Sequence, residues 1–145
     1  MTSRFALIAL LFCLITTVTA DDRKHIVDDS LSAFPFSNGV LVGDTLYLGG
    51  HLGLDKSGKV PANVEDEVNL VMEAIKKTVE SAGLTMDDVV SIQVHCSDLS
   101  LYDSFNKIYK TYFKNRYPAR AFLGSGKLLR DAHFEVLGIA VKKSR

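Results

Sequence analysis

Phe134-Glu135-Val136-Leu137-Gly138-Ile139-Ala140-Val141 is an apolar run interrupted by a single charge. Its shortness, its β-branched residues and its lack of other charges make it a strand. A carboxylate in such a run costs several kcal/mol unless something pairs with it or uses it. Fifteen residues upstream stands Tyr117-Pro118-Ala119-Arg120, whose arginine follows a proline and opens a second apolar segment, Ala121-Phe122-Leu123. An arginine fork and an acid at the ends of neighbouring strands would hold an anion beside a proton-transfer group. Taken alone, the two residues leave other uses open. Arg120 could pair with a surface acid, and Glu135 could be a structural ion-pair partner, of Arg120 among others.

Working outward, Leu41-Val42-Gly43-Asp44-Thr45-Leu46-Tyr47-Leu48 reads as a hairpin turning at Gly43-Asp44, with Gly49-Gly50 closing its second strand. Asp55-Lys56-Ser57-Gly58 is a further turn. A helix is expected over 64–82, capped by Asn63, with Asp66 in the capping-box position and Gly83 at its C-terminal end. Val64, Val68, Val71, Met72, Ile75 and Val79 form its apolar stripe. The alternation over 89–96 predicts a half-buried strand. A second helix is expected over 101–115, capped by Ser100 with Asp103 following, its inner face made of Phe105, Ile108, Tyr109, Tyr112 and Phe113. Strands near 119–123 and 133–142 complete a ββ-α-β-α-ββ order, an α+β domain with two helices on one side of a mixed sheet.

The segment from Pro118 to Val141 resembles the signature of the RidA/YjgF family of reactive enamine/imine intermediate deaminases. Pro118-Ala119-Arg120 and Phe134-Glu135-Val136 carry the resemblance. It extends upstream through Phe105-Asn106-Lys107-Ile108-Tyr109, Ala82-Gly83-Leu84 and Gly58-Lys59-Val60-Pro61 to Pro35-Phe36-Ser37-Asn38-Gly39, about 31 to 143 in all. The resemblance implies a chorismate-mutase-like fold, a homotrimer, and clefts between subunits. It also implies hydrolysis of small 2-imino acids to 2-keto acids and ammonia, with no metal and no organic cofactor. Arg120 would then hold the substrate carboxylate and Glu135 would position or activate water. The backbone at Gly50 and Phe122 and the side chain of Asn106 would complete the pocket. Phe36 stands where active members usually carry tyrosine, Gly49 where serine is frequent, and Phe122 where cysteine is frequent.

The first twenty residues are set apart from this domain. Arg4 precedes an almost unbroken apolar stretch from Phe5 to Val18, and Val18-Thr19-Ala20 precedes Asp21-Asp22. That pattern predicts a secretory signal cleaved after Ala20, a mature N-terminus over 21–30 that is flexible, a domain over 31–143, and a secreted or luminal protein off the membrane once cleaved, an uncleaved anchor being the alternative. Without Arg4 the chain has 16 basic and 17 acidic side chains, a net charge of −1. Such a balance provides no electrostatic footprint for nucleic acid, and Lys142-Lys143-Ser144-Arg145 reads as a solvated tail. His51, His95 and His133 match no common zinc spacing, and Cys96 is expected to be a small core residue. A secreted location also leaves open a non-catalytic trimer that binds small carboxylates or a protein partner, or acts as a holdase.

Overall fold

The computed structural model describes residues 22–29 and 32–143; the expected signal over 1–20 lies outside them. Six strands and two helices follow in order: β1 (Arg23–Ile26), β2 (Gly39–Val42), β3 (Thr45–Leu52), α1 (Val64–Ser81), β4 (Val89–Cys96), α2 (Tyr102–Tyr109), β5 (Ala119–Gly124) and β6 (Phe134–Val141). The sheet order is β1-β2-β3-β6-β4-β5, antiparallel throughout except for the parallel β4–β5 pair. The eight-residue run therefore lies inside the sheet, between β3 and β4. Phe134, Val136, Gly138 and Ala140 face the helices and are buried, while Glu135, Leu137 and Ile139 face the other way and are half-buried. Gly138 is required by this close pairing, since a Cβ there would meet the Ser91 carbonyl at 2.4 Å.

Helix α1 covers one face of the sheet because its stripe matches the helical period. Val68, Val71, Met72, Ile75 and Val79 are fully buried, each contributing about 1.5–3 kcal/mol of burial energy. Asn63 caps the helix by accepting from Glu65 N at 2.8 Å and Asp66 N at 3.3 Å, and Gly83 follows the last turn with φ +80°. The reciprocal Asp66 bond expected of a capping box is not among its contacts. The second helix departs further from expectation. Asp98, not Ser100, is the capping side chain: it accepts from Ser100 N at 2.9 Å and starts a 3-10 turn over Leu99–Leu101 before α2 begins. At the other end the chain leaves helical geometry at Phe113 (φ −121°, ψ 126°), which turns its ring into the core rather than prolonging the helix to 115.

Two other expectations change. The segment over 21–30 is not merely a lead-in, because Arg23–Ile26 adds strand β1 to the sheet edge. Its polar sequence hides the strand, since main-chain pairing with β2 and one buried residue, Ile26, hold it in place. Lys24 Nζ also donates to the Ser81 carbonyl at 3.0 Å, and Lys77 pairs with Asp28. Strand β3 does not stop at Gly49-Gly50 either: it continues to Leu52 through a bulge, where its register on β6 shifts between Leu48 and His51.

Two buried polar contacts fix the inner ends of β3 and β6. Glu67, fully buried on α1, accepts from the backbone N–H of His133 at 2.7 Å and of Phe134 at 3.2 Å, and contacts His133 Nδ1 at 2.6 Å. His51, 4% exposed, bonds the Gly49 carbonyl through Nδ1 at 2.8 Å and Thr78 Oγ1 of α1 through Nε2 at 2.9 Å. Burial holds the His51 ring below the usual histidine range, although its bond to Gly49 acts in the opposite sense. Cys96 is fully buried with its thiol shifted upward by burial, as suits a core residue.

Replacing Glu67 with alanine orphans the two backbone donors at the start of β6, each worth about 1–3 kcal/mol. Denaturant titration should show a loss of about 3 kcal/mol, smaller for Glu67→Gln; an unchanged midpoint would refute the tie. The His51 shift sets the sign of a pH effect. Because the folded state disfavours the charged ring, the unfolded chain takes up this proton first as pH falls below about 6.5. Wild-type stability should therefore fall between pH 7.5 and pH 5.5 by more than that of His51→Gln, by up to about 1.4 kcal/mol per pH unit. Parallel losses in both proteins would contradict a neutral buried ring.

Candidate functional site

Glu135 and its surroundings form the first half of the site, on the sheet face away from the helices. Glu135 pairs in register with Leu52 on β3 and His95 on β4. The bulge in β3 brings Gly50 against it so closely that a Cβ at Gly50 would lie 2.1 Å from Glu135 Oε1. Any side chain at position 50 would push the carboxylate away, so the glycine is what admits it. At Gly49 a Cβ would meet the Ser37 carbonyl at 2.9 Å, so a side chain there would require the backbone at Ser37 to shift. Phe36 is 51% exposed and lines the same cavity of about 1220 Å³ as Gly49, Gly50, Arg130 and Glu135.

Arg120 forms the second half, on edge strand β5 and on the helix side of the sheet. Its register partner is the fully buried Ile92. Its guanidinium carbon lies 4.6 Å from the centre of the Tyr109 ring and 5.7 Å from those of Tyr102 and Phe122. Such contacts are worth about 0.5–2 kcal/mol and hold the cation in place without consuming its hydrogen-bond donors. Among the described residues its one hydrogen bond is a long one, Nη2 to the Tyr102 hydroxyl at 3.4 Å. The rest of a five-donor fork remains available to a carboxylate. Asn106 lies on the same helical stripe as Tyr102 and Tyr109, four and three residues away, so α2 brings it to this half. Phe122 packs edge-on against Phe105 and Tyr102, its side chain spent on the aromatic cluster. The Tyr109 hydroxyl has no hydrogen-bond partner among the described residues, and burial pushes its pKa up to about 12.

These two halves do not meet within one chain. The expectation of neighbouring strands is corrected, because β4 lies between β5 and β6. Along β4, Arg120 pairs with Ile92 and Glu135 with His95, so the backbones are about 10 Å apart across the sheet and about 10 Å along it. Their side chains leave from opposite faces, since Ile92 faces the helices and Glu135 alternates with the helix-facing Phe134 and Val136. Of the predicted residues, Glu135, Gly50 and Phe36 gather on one side, and Arg120, Asn106 and Phe122 on the other. Sequence reasoning missed Tyr102 and Tyr109 as the aromatic seat of Arg120; their seven-residue spacing around Asn106 was the available signal. It also missed Glu67, which falls on the α1 stripe three residues after Val64.

A sequence model described as Endoribonuclease L-PSP matches residues 28–142. A RutC family protein of Saccharolobus solfataricus is 40% identical over 110 residues, covering 74% of this chain and 87% of that protein. The mouse 2-iminobutanoate/2-iminopropanoate deaminase is 34% identical over 110 residues, covering 74% and 82%. The crystal structure of Escherichia coli TdcF with bound serine superimposes with a TM-score of 0.76 at 28% identity, covering 83% of this chain and 100% of that one. The expected fold is the observed one, and the chain belongs to the RidA/YjgF family of reactive-intermediate deaminases, the family that the L-PSP model describes.

Proposed function

We propose that this protein hydrolyses small 2-imino acids to 2-keto acids and ammonia, at sites completed between copies of the chain. The observation that carries the reading is the split site: a donor-rich guanidinium on one face and a carboxylate beside Gly50 on the other. Arg120 holds the substrate carboxylate, with Asn106 beside it. Glu135 positions a water and accepts its proton as the oxygen attacks the iminium carbon. The water oxygen becomes the keto oxygen, and nitrogen leaves as ammonium. No cofactor is called for, because a protonated imine is itself electrophilic. The named activity of the mouse relative and the serine bound by TdcF, a small amino acid with a carboxylate, support the substrate class.

The partner copy is suggested by the sheet face opposite the helices. In register across it run Val40, Tyr47 and Ile139, with Tyr47 52% exposed. An apolar sheet face of this kind favours burial in an assembly, and a closed trimer is the arrangement we favour. The leader over 1–20 would direct this assembly outside the cell or into a lumen. The exposed Phe36, lacking a hydroxyl, favours a second reading in which the cleft binds carboxylates without turnover.

Hydrolysis of freshly generated 2-iminopropanoate and 2-iminobutanoate separates the two readings. The purified protein should be active, and Arg120→Ala should lose about 100-fold or more in kcat/KM while remaining folded and assembled. Glu135→Gln should lose kcat by about 100-fold or more with little change in KM. Wild-type turnover that survives Arg120→Ala would refute the clamp; a folded wild type without turnover would leave the binding reading. N-terminal sequencing of the exported product should begin at Asp21, whereas an intact Met1 would refute the signal.

A further inference from the structure

The cavity beside Glu135 contains a second guanidinium that the reading above does not use. Leu129-Arg130-Asp131 makes a 3-10 turn before β6, and both Arg130 (φ 62°) and Asp131 (φ 58°) are left-handed. Non-glycine residues seldom adopt that region, and an arginine there is rarer still than an aspartate. Sparsely populated backbone of this kind concentrates where a side chain must be aimed. Here it aims Arg130 along the cavity wall that also carries Glu135, five residues later. Arg130 Nη1 stands 3.7 Å from the position a Cβ would take on Gly58, so the guanidinium crosses the turn over 55–58 at the cavity mouth.

Neighbouring charges are largely committed. Lys127 pairs with Asp131 at 2.7 Å, and Lys77 pairs with Asp28. Asp55 Oδ1 accepts from Ser57 N, Ser57 Oγ and Lys59 N. Lys56 lines the same cavity as a second cation. Among the described residues Arg130 itself makes no hydrogen bond and no ion pair, although it lines the same cavity as Glu135.

We propose that Arg130 binds a second carboxylate of the substrate, so that the site favours 2-imino acids with an acidic side chain over aliphatic ones. The inference rests on the deaminase reading for its chemistry. With the reacting carbon facing Glu135, a substrate side chain that runs along this wall ends at Arg130, whose planar fork matches a carboxylate. Hydrolysis proceeds as before: water adds to the imine carbon, the C–N bond breaks, ammonium leaves, and the distal carboxylate is unchanged.

The test compares 2-iminoglutarate with 2-iminopentanoate, generated in place by amino-acid oxidases, together with calorimetric binding of the stable products 2-oxoglutarate and 2-oxopentanoate. Wild type should prefer the dicarboxylate in both assays. Arg130→Gly suits the left-handed backbone and should keep the melting temperature, yet it should lower the preference tenfold or more, chiefly through KM. Arg130→Lys should retain part of it. An equal preference in wild type and Arg130→Gly overturns the assignment, even if both hydrolyse 2-iminobutanoate. Arg130-dependent binding of 2-oxoglutarate without turnover supports the anchor while removing the deaminase reading.

Discussion

Side chains alternate along β6, and this alternation governs where chemistry can occur. Phe134 and Val136 must face the helices to complete the core, so Glu135 between them must face away. The same logic sends Arg120 to the helix side, because its register partner Ile92 is fully buried there. Once β4 is inserted between β5 and β6, no rotamer of either side chain closes the gap. A fold that keeps its acid and its arginine apart can unite them only through a second copy. The uncovered apolar face and the edge position of β5 make such a copy physically reasonable.

Each half is also stiffened from behind. His51 ties the Gly49 carbonyl to Thr78 on α1, and the bulge so fixed presents Gly50 to the Glu135 carboxylate. Glu67 fixes the first residues of β6 from the same helix. On the other side Tyr102, Tyr109 and Phe122 hold the Arg120 guanidinium by contact with its faces while leaving its edge donors free. Helix α1 therefore supports the acid and α2 the arginine.

Much of this was legible in the sequence. Helix α1, the β2–β3 hairpin and strands β4 and β6 follow from periodicity and turn chemistry because each buries one defined face. Strand β1 was not, since its pairing is a main-chain matter that Arg23-Lys24-His25 does not advertise. The start of α2 was misjudged because Asp98, two residues before Ser100, accepts from the Ser100 amide and starts the helical turn earlier. The site residues were recognisable one by one from the resemblance, but their division between two faces was not. Strand order is a non-local property, and the succession of β5 and β6 in the chain suggested an adjacency in space that β4 prevents. Glu67 was hidden by its resemblance to an ordinary first-turn acid, and only its position on the apolar stripe distinguishes it.

The most direct test of the central claim mixes two defective proteins. Arg120→Ala and Glu135→Gln, unfolded together and co-refolded in equal amounts, should regain about a quarter of wild-type imine hydrolysis. Random assembly joins an intact arginine to a partner's intact glutamate in about that share of sites. Co-refolded protein that assembles normally but stays as inactive as either parent would mean that both residues must act from the same chain, and the two-copy site would be wrong.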